Sequence, residues 1–258
     1  MGKSKKRNED EIFEDILTAN SNAEISAVKK EIETLIPKNI RIKAKNDNQI
    51  KLINSIRNNQ ITIAAGPPGT GKTFVSVAYA LSLLRKQENR FKNIYLVKSV
   101  TTLKNEEVGY LKGGLQEKIE PVMWSFLINM EKLITAKNID TLMDKEIIRP
   151  VPLAYVRGAS LDNCIIIADE MQNVSLDNSR TLLTRIGSDC KLILLGDVNQ
   201  IDIRNKKESS LEKLLDIFND TEDFGVINMD LNDAENVRNP LITTIENKYN
   251  EYYESNGK

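Results

Sequence analysis

The residues best suited to chemistry lie in one run, Gly66-Pro67-Pro68-Gly69-Thr70-Gly71-Lys72-Thr73. They meet the pattern G-x-x-x-x-G-K-[ST] in full. Glycines at these places let main-chain N–H groups turn inward around an anion, where a Cβ would obstruct them. The Lys72 ammonium can then reach the β- and γ-phosphates, and the Thr73 hydroxyl can bind Mg²⁺. The chemistry on offer is the binding of ATP with Mg²⁺. The plain alternative is a glycine turn with no ligand. The setting argues against it, because the apolar run Ile61–Ala65 precedes the loop and an amphipathic helix pattern follows it. Phe74, Val77, Ala78, Leu81 and Leu84 share one helical face. A helix starting at that point adds favourable potential for an anion.

A second run, Cys164-Ile165-Ile166-Ile167-Ala168-Asp169-Glu170, reads as a buried strand ending in two carboxylates. Asp169 suits the magnesium shell, and Glu170 suits the general base that activates the attacking water. A third, Leu194-Leu195-Gly196-Asp197-Val198-Asn199-Gln200, ends another strand in polar residues. Gln200 is a candidate to orient the water or sense the γ-phosphate, with Asp197 bridging it to the acidic pair. Phosphoryl transfer also needs positive charge. Arg238 is the first candidate. Arg185 is a second, further from the cradle and suited to act on a neighbouring subunit's ATP. Gln49 is a candidate reader of the adenine edge. Two acids at a strand end, two surface arginines or a polar loop can each occur without a ligand. Their company with a complete phosphate loop is what gives them weight.

These groups can meet only if the elements that carry them share an edge. The apolar runs Ile61–Ala65, Asn93–Val100, Cys164–Ala168, Lys191–Leu195 and Phe224–Met229 are unbroken, as strands buried on both faces should be. Helical patterns alternate with them, so a mostly parallel sheet with helices on both faces is expected. Parallel strands bring their C-terminal ends to one edge, where the three motifs would converge. Ser175 is a candidate N-cap for the helix that follows it, and Gly187 its candidate end. Residues from about Leu103 to Asn163 are too many for a plain crossover. They read as an insertion beside the site, with a helix around Gln116–Ile134 and a proline-bearing stretch at Arg149–Leu153. Residues 1–45 read as a basic tail with short helices (Glu11–Leu17, Glu24–Ile36), 46–245 as the ATPase domain and 246–258 as a C-terminal tail.

Composition narrows the class. The chain has 258 residues, 36 basic against 37 acidic, two cysteines and no histidine. A Ser-His-Asp hydrolase and a histidine-ligated zinc enzyme are excluded. No run approaches the ~20 apolar residues of a membrane span. No apolar h-region follows the basic start, so a cytoplasmic protein without a membrane partner is expected. Cys164 and Cys190 read as buried small hydrophobes rather than a disulfide pair.

The order of motifs resembles the PhoH-like family, the phosphate-starvation-inducible ATPases, which look like the motor core of superfamily 1 helicases. Besides the runs above, the resemblance rests on Val108-Gly109-Tyr110-Leu111-Lys112-Gly113 and Pro152-Leu153-Ala154-Tyr155-Val156-Arg157-Gly158. It also rests on Leu183-Thr184-Arg185-Ile186-Gly187 and Val237-Arg238-Asn239-Pro240-Leu241. It spans roughly Asn48 to Ile245. It implies ATP binding and hydrolysis, a RecA-like core and homo-oligomeric rings, a hexamer being one such form. It gives Lys72, Thr73, Asp169, Glu170, Gln200 and Arg238 their usual roles. The chain departs from the family at Ala159, where an arginine is common, at Lys98-Ser99 in place of Arg-Pro, and at Asn239 in place of histidine. The compact form is similar to phage-borne members. Three functions follow for comparison: an ATPase working on single-stranded RNA or DNA, an ATP-dependent regulatory or assembly module, and a small-molecule kinase. The Asp169-Glu170 pair disfavours the kinase, which should keep a water-activating base away from the γ-phosphate.

Overall fold

The computed structural model describes residues 28–40, 42–86, 91–99, 115–158, 160–229 and 240–255. The expected helix at Glu11–Leu17, the Val108–Gly113 motif and Arg238 lie outside the described residues. Six strands form one sheet: β1 (Ile61–Ala65), β2 (Asn93–Lys98), β3 (Ile148–Pro152), β4 (Cys164–Asp169), β5 (Lys191–Gly196) and β6 (Phe224–Asn228). Their order across the sheet is β3-β2-β4-β5-β1-β6, and every neighbouring pair is parallel. The expected α/β fold is present, a RecA-like P-loop NTPase sheet with helices on both faces.

Strand periodicity divides the core. Along β4, Ile165 and Ile167 join one apolar layer while Cys164, Ile166 and Ala168 join the other. Along β5, Ile193 and Leu195 oppose Leu192 and Leu194 in the same way. Side chains two residues apart in a strand share a face, so an unbroken apolar run supplies both layers. The first layer is closed by the helix over 28–35 (α1), α2 (Asp47–Asn58), α3 (Lys72–Arg85), α4 (Leu115–Glu131) and α5 (Ala136–Asp144). The second is closed by α6 (Leu176–Leu183) and α7 (Leu211–Ile217). A last helix, α8 (Pro240–Ser255), shows Leu241, Ile245 and Tyr249 to solvent.

Side-chain caps fix several helix starts. Asn46 accepts from the Gln49 N–H, Thr135 from Asn138 and Ser175 from Asn178, the last as expected. Gly187 does not end α6. The helix stops at Leu183, capped at Thr184. Gly187 lies beyond, where a Cβ would fall 2.0 Å from the Asp162 carboxylate. Close approach of a neighbouring side chain, not a helix stop, demands the glycine.

The insertion also differs from expectation. Its helical part is there as α4 and α5, but its proline-bearing end is β3, the outermost strand beside β2. Ile94 N–H donates to Ile147 O, so the alternate carbonyls 147, 149 and 151 face β2, and residues 148, 150 and 152 face outward. Pro150 and Pro152 therefore sit where no ladder N–H is needed, one of the few places a strand tolerates them. The thiols of Cys164 and Cys190 lie 3.7 Å apart inside the second layer, both free and buried. The hydrogen bond between them and burial push the Cys164 thiol pKa well up, so Cys164 behaves as an inert apolar side chain.

Candidate functional site

The glycine loop follows from its neighbours. At Gly66 a Cβ would fall 2.6 Å from the Met229 carbonyl oxygen, because β6 runs directly beside the end of β1. Gly69 and Gly71 take φ of 92° and 85°, the left-handed region open to glycine. Helix α3 begins at Lys72 with no side-chain cap. Its first N–H groups therefore have no acceptor within the helix and point toward the loop. The Lys72 ammonium is folded into this loop, donating to Gly66 O, to Pro67 O at 2.9 Å and to Thr70 Oγ1 at 3.3 Å. The Gln49 amide braces the same turn. Its Nε2 donates to Thr70 O and its Oε1 accepts from Lys45 N, each at 3.0 Å.

β5 lies between β1 and β4, so the three C-terminal tips stand side by side. A cleft of about 300 Å³ opens there, lined by the loop, by Asp169, Glu170, Asp197 and Gln200, and by Lys43, Lys45 and Lys132 on the rim. The Thr73 hydroxyl donates to Asp169 Oδ2 at 3.0 Å, bringing together two groups 96 residues apart. A hydroxyl oxygen and a carboxylate at that spacing fit the hard oxygen shell of Mg²⁺, with positions left for water and phosphate oxygens. Glu170 is held in a left-handed backbone conformation, φ 60° and ψ 38°. That conformation is uncommon for a residue with a Cβ and is frequent at functional sites. Its Oε2 accepts from Gln172 Nε2 at 2.6 Å and its Oε1 lies 3.7 Å from Lys98 Nζ.

Gly66–Thr73, Gln49, Asp169, Glu170 and Gln200 thus gather around one cleft or its supporting loop. Arg185 does not. Its N–H donates to Leu182 O and its carbonyl accepts from Leu161, which precedes β4. That is the N-terminal edge of a parallel sheet, about 20 Å from the cleft by the length of a six-residue strand. The sequence alone gives no role to Lys43, Lys45 or Lys132, and Gln172 and Asn173 stand in it only as the residues that follow the acidic pair in the family-like run. It offers Lys98 as a departure from the family and, with Lys104, Lys112 and Lys118, as one of the scattered lysines that could handle a nucleic-acid strand or simply form a solvated face.

Burial pushes the Asp197 carboxyl up, partly offset by the Asn199 N–H and the Lys72 charge. An acid with a raised folded-state pKa holds its proton more tightly when folded. Stability then falls as pH rises from the ordinary 3.8 through the folded value. Asp197→Asn keeps an acceptor for the Asn199 N–H and removes the charge. Calorimetry should show a melting temperature less dependent on pH across that range and higher than the parent's at pH 7. An unchanged midpoint at pH 7 would mean that Lys72 fully compensates the burial.

Among known protein families, the model described as PhoH-like protein matches residues 41–250. The chain belongs to the PhoH-like protein family. It is 34% identical over 208 residues to a PhoH-like protein of Synechocystis sp., covering 81% of this chain and 62% of that one. It is 32% identical over 212 residues to a PhoH-like protein of Bacillus subtilis, covering 82% and 64%. With Protein PhoH of Escherichia coli it shares 30% over 189 residues, covering 72% and 52%. The chain therefore spans between half and two thirds of the length of these PhoH-like relatives. Among solved structures, the large terminase of a thermophilic bacteriophage is loosely similar, with a TM-score of 0.44 at 10% identity over 75% of this chain and 47% of that one. No helix among the described residues is long and apolar enough to cross a membrane.

Proposed function

We propose that this PhoH-like chain binds ATP with Mg²⁺, hydrolyses it, and couples the turnover to single-stranded RNA or DNA. The observation that carries the first part is the Thr73–Asp169 contact at 3.0 Å beside a glycine loop that already coordinates the Lys72 ammonium. In this reading the N–H groups of Gly69–Thr73 and Lys72 hold the β- and γ-phosphates. Thr73 and Asp169 hold Mg²⁺, which when bound neutralises phosphate charge. The Glu170 carboxylate takes the proton of a water attacking the γ-phosphorus, leaving ADP and phosphate. Gln200 orients that water, and Gln49 reads adenine if its amide gives up one of its present partners.

Arg238 supplies positive charge in cis or in trans. Arg185 lies on the opposite edge of the sheet, so it can serve only a neighbouring chain's phosphates. That placement favours a homo-oligomeric ring, with six subunits as one form. The buried reduced thiols suit the cytoplasm.

The coupling to nucleic acid is tested by ATP turnover with and without single-stranded RNA or DNA, with Glu170→Gln as the control. The expected result is a several-fold stimulation. Its absence would favour the second reading, an ATP-dependent regulatory or assembly module. That reading draws support from the near-neutral balance of charge.

A further inference from the structure

We infer that Gln172 is a positioning residue that fixes the Glu170 carboxylate and ties it to the loop beyond β5. The inference rests on the reading of Glu170 as the water-activating base. Gln172 is fully buried, unusual for a long polar side chain with no charge to neutralise. Both ends of its amide are engaged, and only one orientation satisfies both. Nε2 must donate to the Glu170 carboxylate, at 2.6 Å, and Oε1 must accept the Asp197 N–H, at 3.0 Å. The backbone of β5 is shaped around this bridge, since a Cβ on Gly196 would fall 2.4 Å from Gln172 Oε1.

Asn173 repeats the arrangement at the far end of the same loop, its Oδ1 accepting the Asp202 N–H at 2.7 Å. Two consecutive buried amides therefore clamp residues 197–202 at both ends to the turn that carries Glu170. The loop between them holds Gln200, whose N–H donates to Asp197 O at 3.1 Å. A shift of this loop that reached Asp197 N would also move the amide that aims Glu170. The other group facing the carboxylate, Lys98, is a longer and partly exposed contact at 3.7 Å that fixes it less firmly.

The arrangement predicts a loss in the chemical step and not in binding. Gln172→Met keeps the length of the side chain and removes both hydrogen bonds. Gln172→Glu keeps the acceptor for Asp197 but sets a second carboxylate against Glu170. Nucleotide affinity, measured with a fluorescent ATP analogue, also reports whether each variant has folded its cleft. Turnover is expected to fall by roughly tenfold or more in both, with nucleotide Kd within about twofold of the parent.

A second measurement separates positioning from general support. In a Glu170→Gln background, Gln172→Met should cost nothing further, because the group it aims has already gone. The inference is overturned if either variant that binds nucleotide turns over like the parent, if affinity and turnover fall together in both, or if the double variant loses the same factor again. A parent protein with no Mg²⁺-dependent turnover, or full turnover in Glu170→Gln, would instead remove the reading of Glu170 itself.

Discussion

Lys72→Ala is expected to weaken ATP binding by about 30-fold or more in Kd, the largest loss of affinity expected from a single change in the phosphate loop. The ammonium is buried among the loop's own oxygens, donating to the Gly66 and Pro67 carbonyls and the Thr70 hydroxyl. Among the residues of the loop it is the only full positive charge that a triphosphate would meet. Removing one partner of a buried, hydrogen-bonded charge pair costs about 2–5 kcal/mol, and each 1.4 kcal/mol is roughly tenfold in affinity. The rim lysines Lys43, Lys45 and Lys132 remain in the variant, but charges open to water are screened and contribute far less. Isothermal titration of ATP in Mg²⁺ buffer reads the loss directly. Affinity within about fivefold of the parent would mean that the cradle is not where the phosphates sit.

Glu170→Gln should leave ATP binding nearly intact and slow hydrolysis by about 10²–10⁴, the range a positioned general base contributes. The substitution is close to isosteric. A glutamine oxygen can still accept from Gln172, so the turn beyond β4 keeps its shape. The contact with Lys98 is lost, but Glu170 is more than a third exposed there and such pairs contribute little. What disappears is the proton acceptor. Single-turnover hydrolysis checks the result, and trapped ATP on the variant would be the positive sign. A rate within threefold of the parent would move the base to another residue, with Asp197 next in line by position.

How much of this was legible in the sequence depended on whether a signal was local. The phosphate loop reads from consecutive residues because its chemistry is in consecutive main-chain amides. The paired carboxylates read because a buried strand must end where polarity begins. The sheet reads because apolar runs such as Ile165–Ile167 and Leu192–Leu195 have no alternation and feed two layers at once. β3 was not legible as a strand. Pro150 and Pro152 argue against one except at a few places such as the outer side of an edge, and edge position is a property of the sheet. Gln172 was invisible for a related reason. Its partners are Glu170, two residues away, and Asp197, twenty-five residues on, and only the adjacency of β4 and β5 brings them together. The distance of Arg185 from the cradle was legible too, and the direction of β4 sets it at the opposite edge of the sheet, which leaves its reading as a residue for a neighbouring subunit's ATP.

The outward row of β3 bears on how copies of this chain can meet. With prolines at 150 and 152, that margin of the sheet has lost donors at two of the three positions that point away from β2. A further strand laid along it would leave its own carbonyls without partners, a cost that disfavours growth in that direction. Self-association by continuous sheet extension, the route by which exposed edges run on into fibres, is closed on this side. Any contact between copies of this chain along that margin must instead use side-chain surfaces, and the rotation between copies then decides whether the assembly closes.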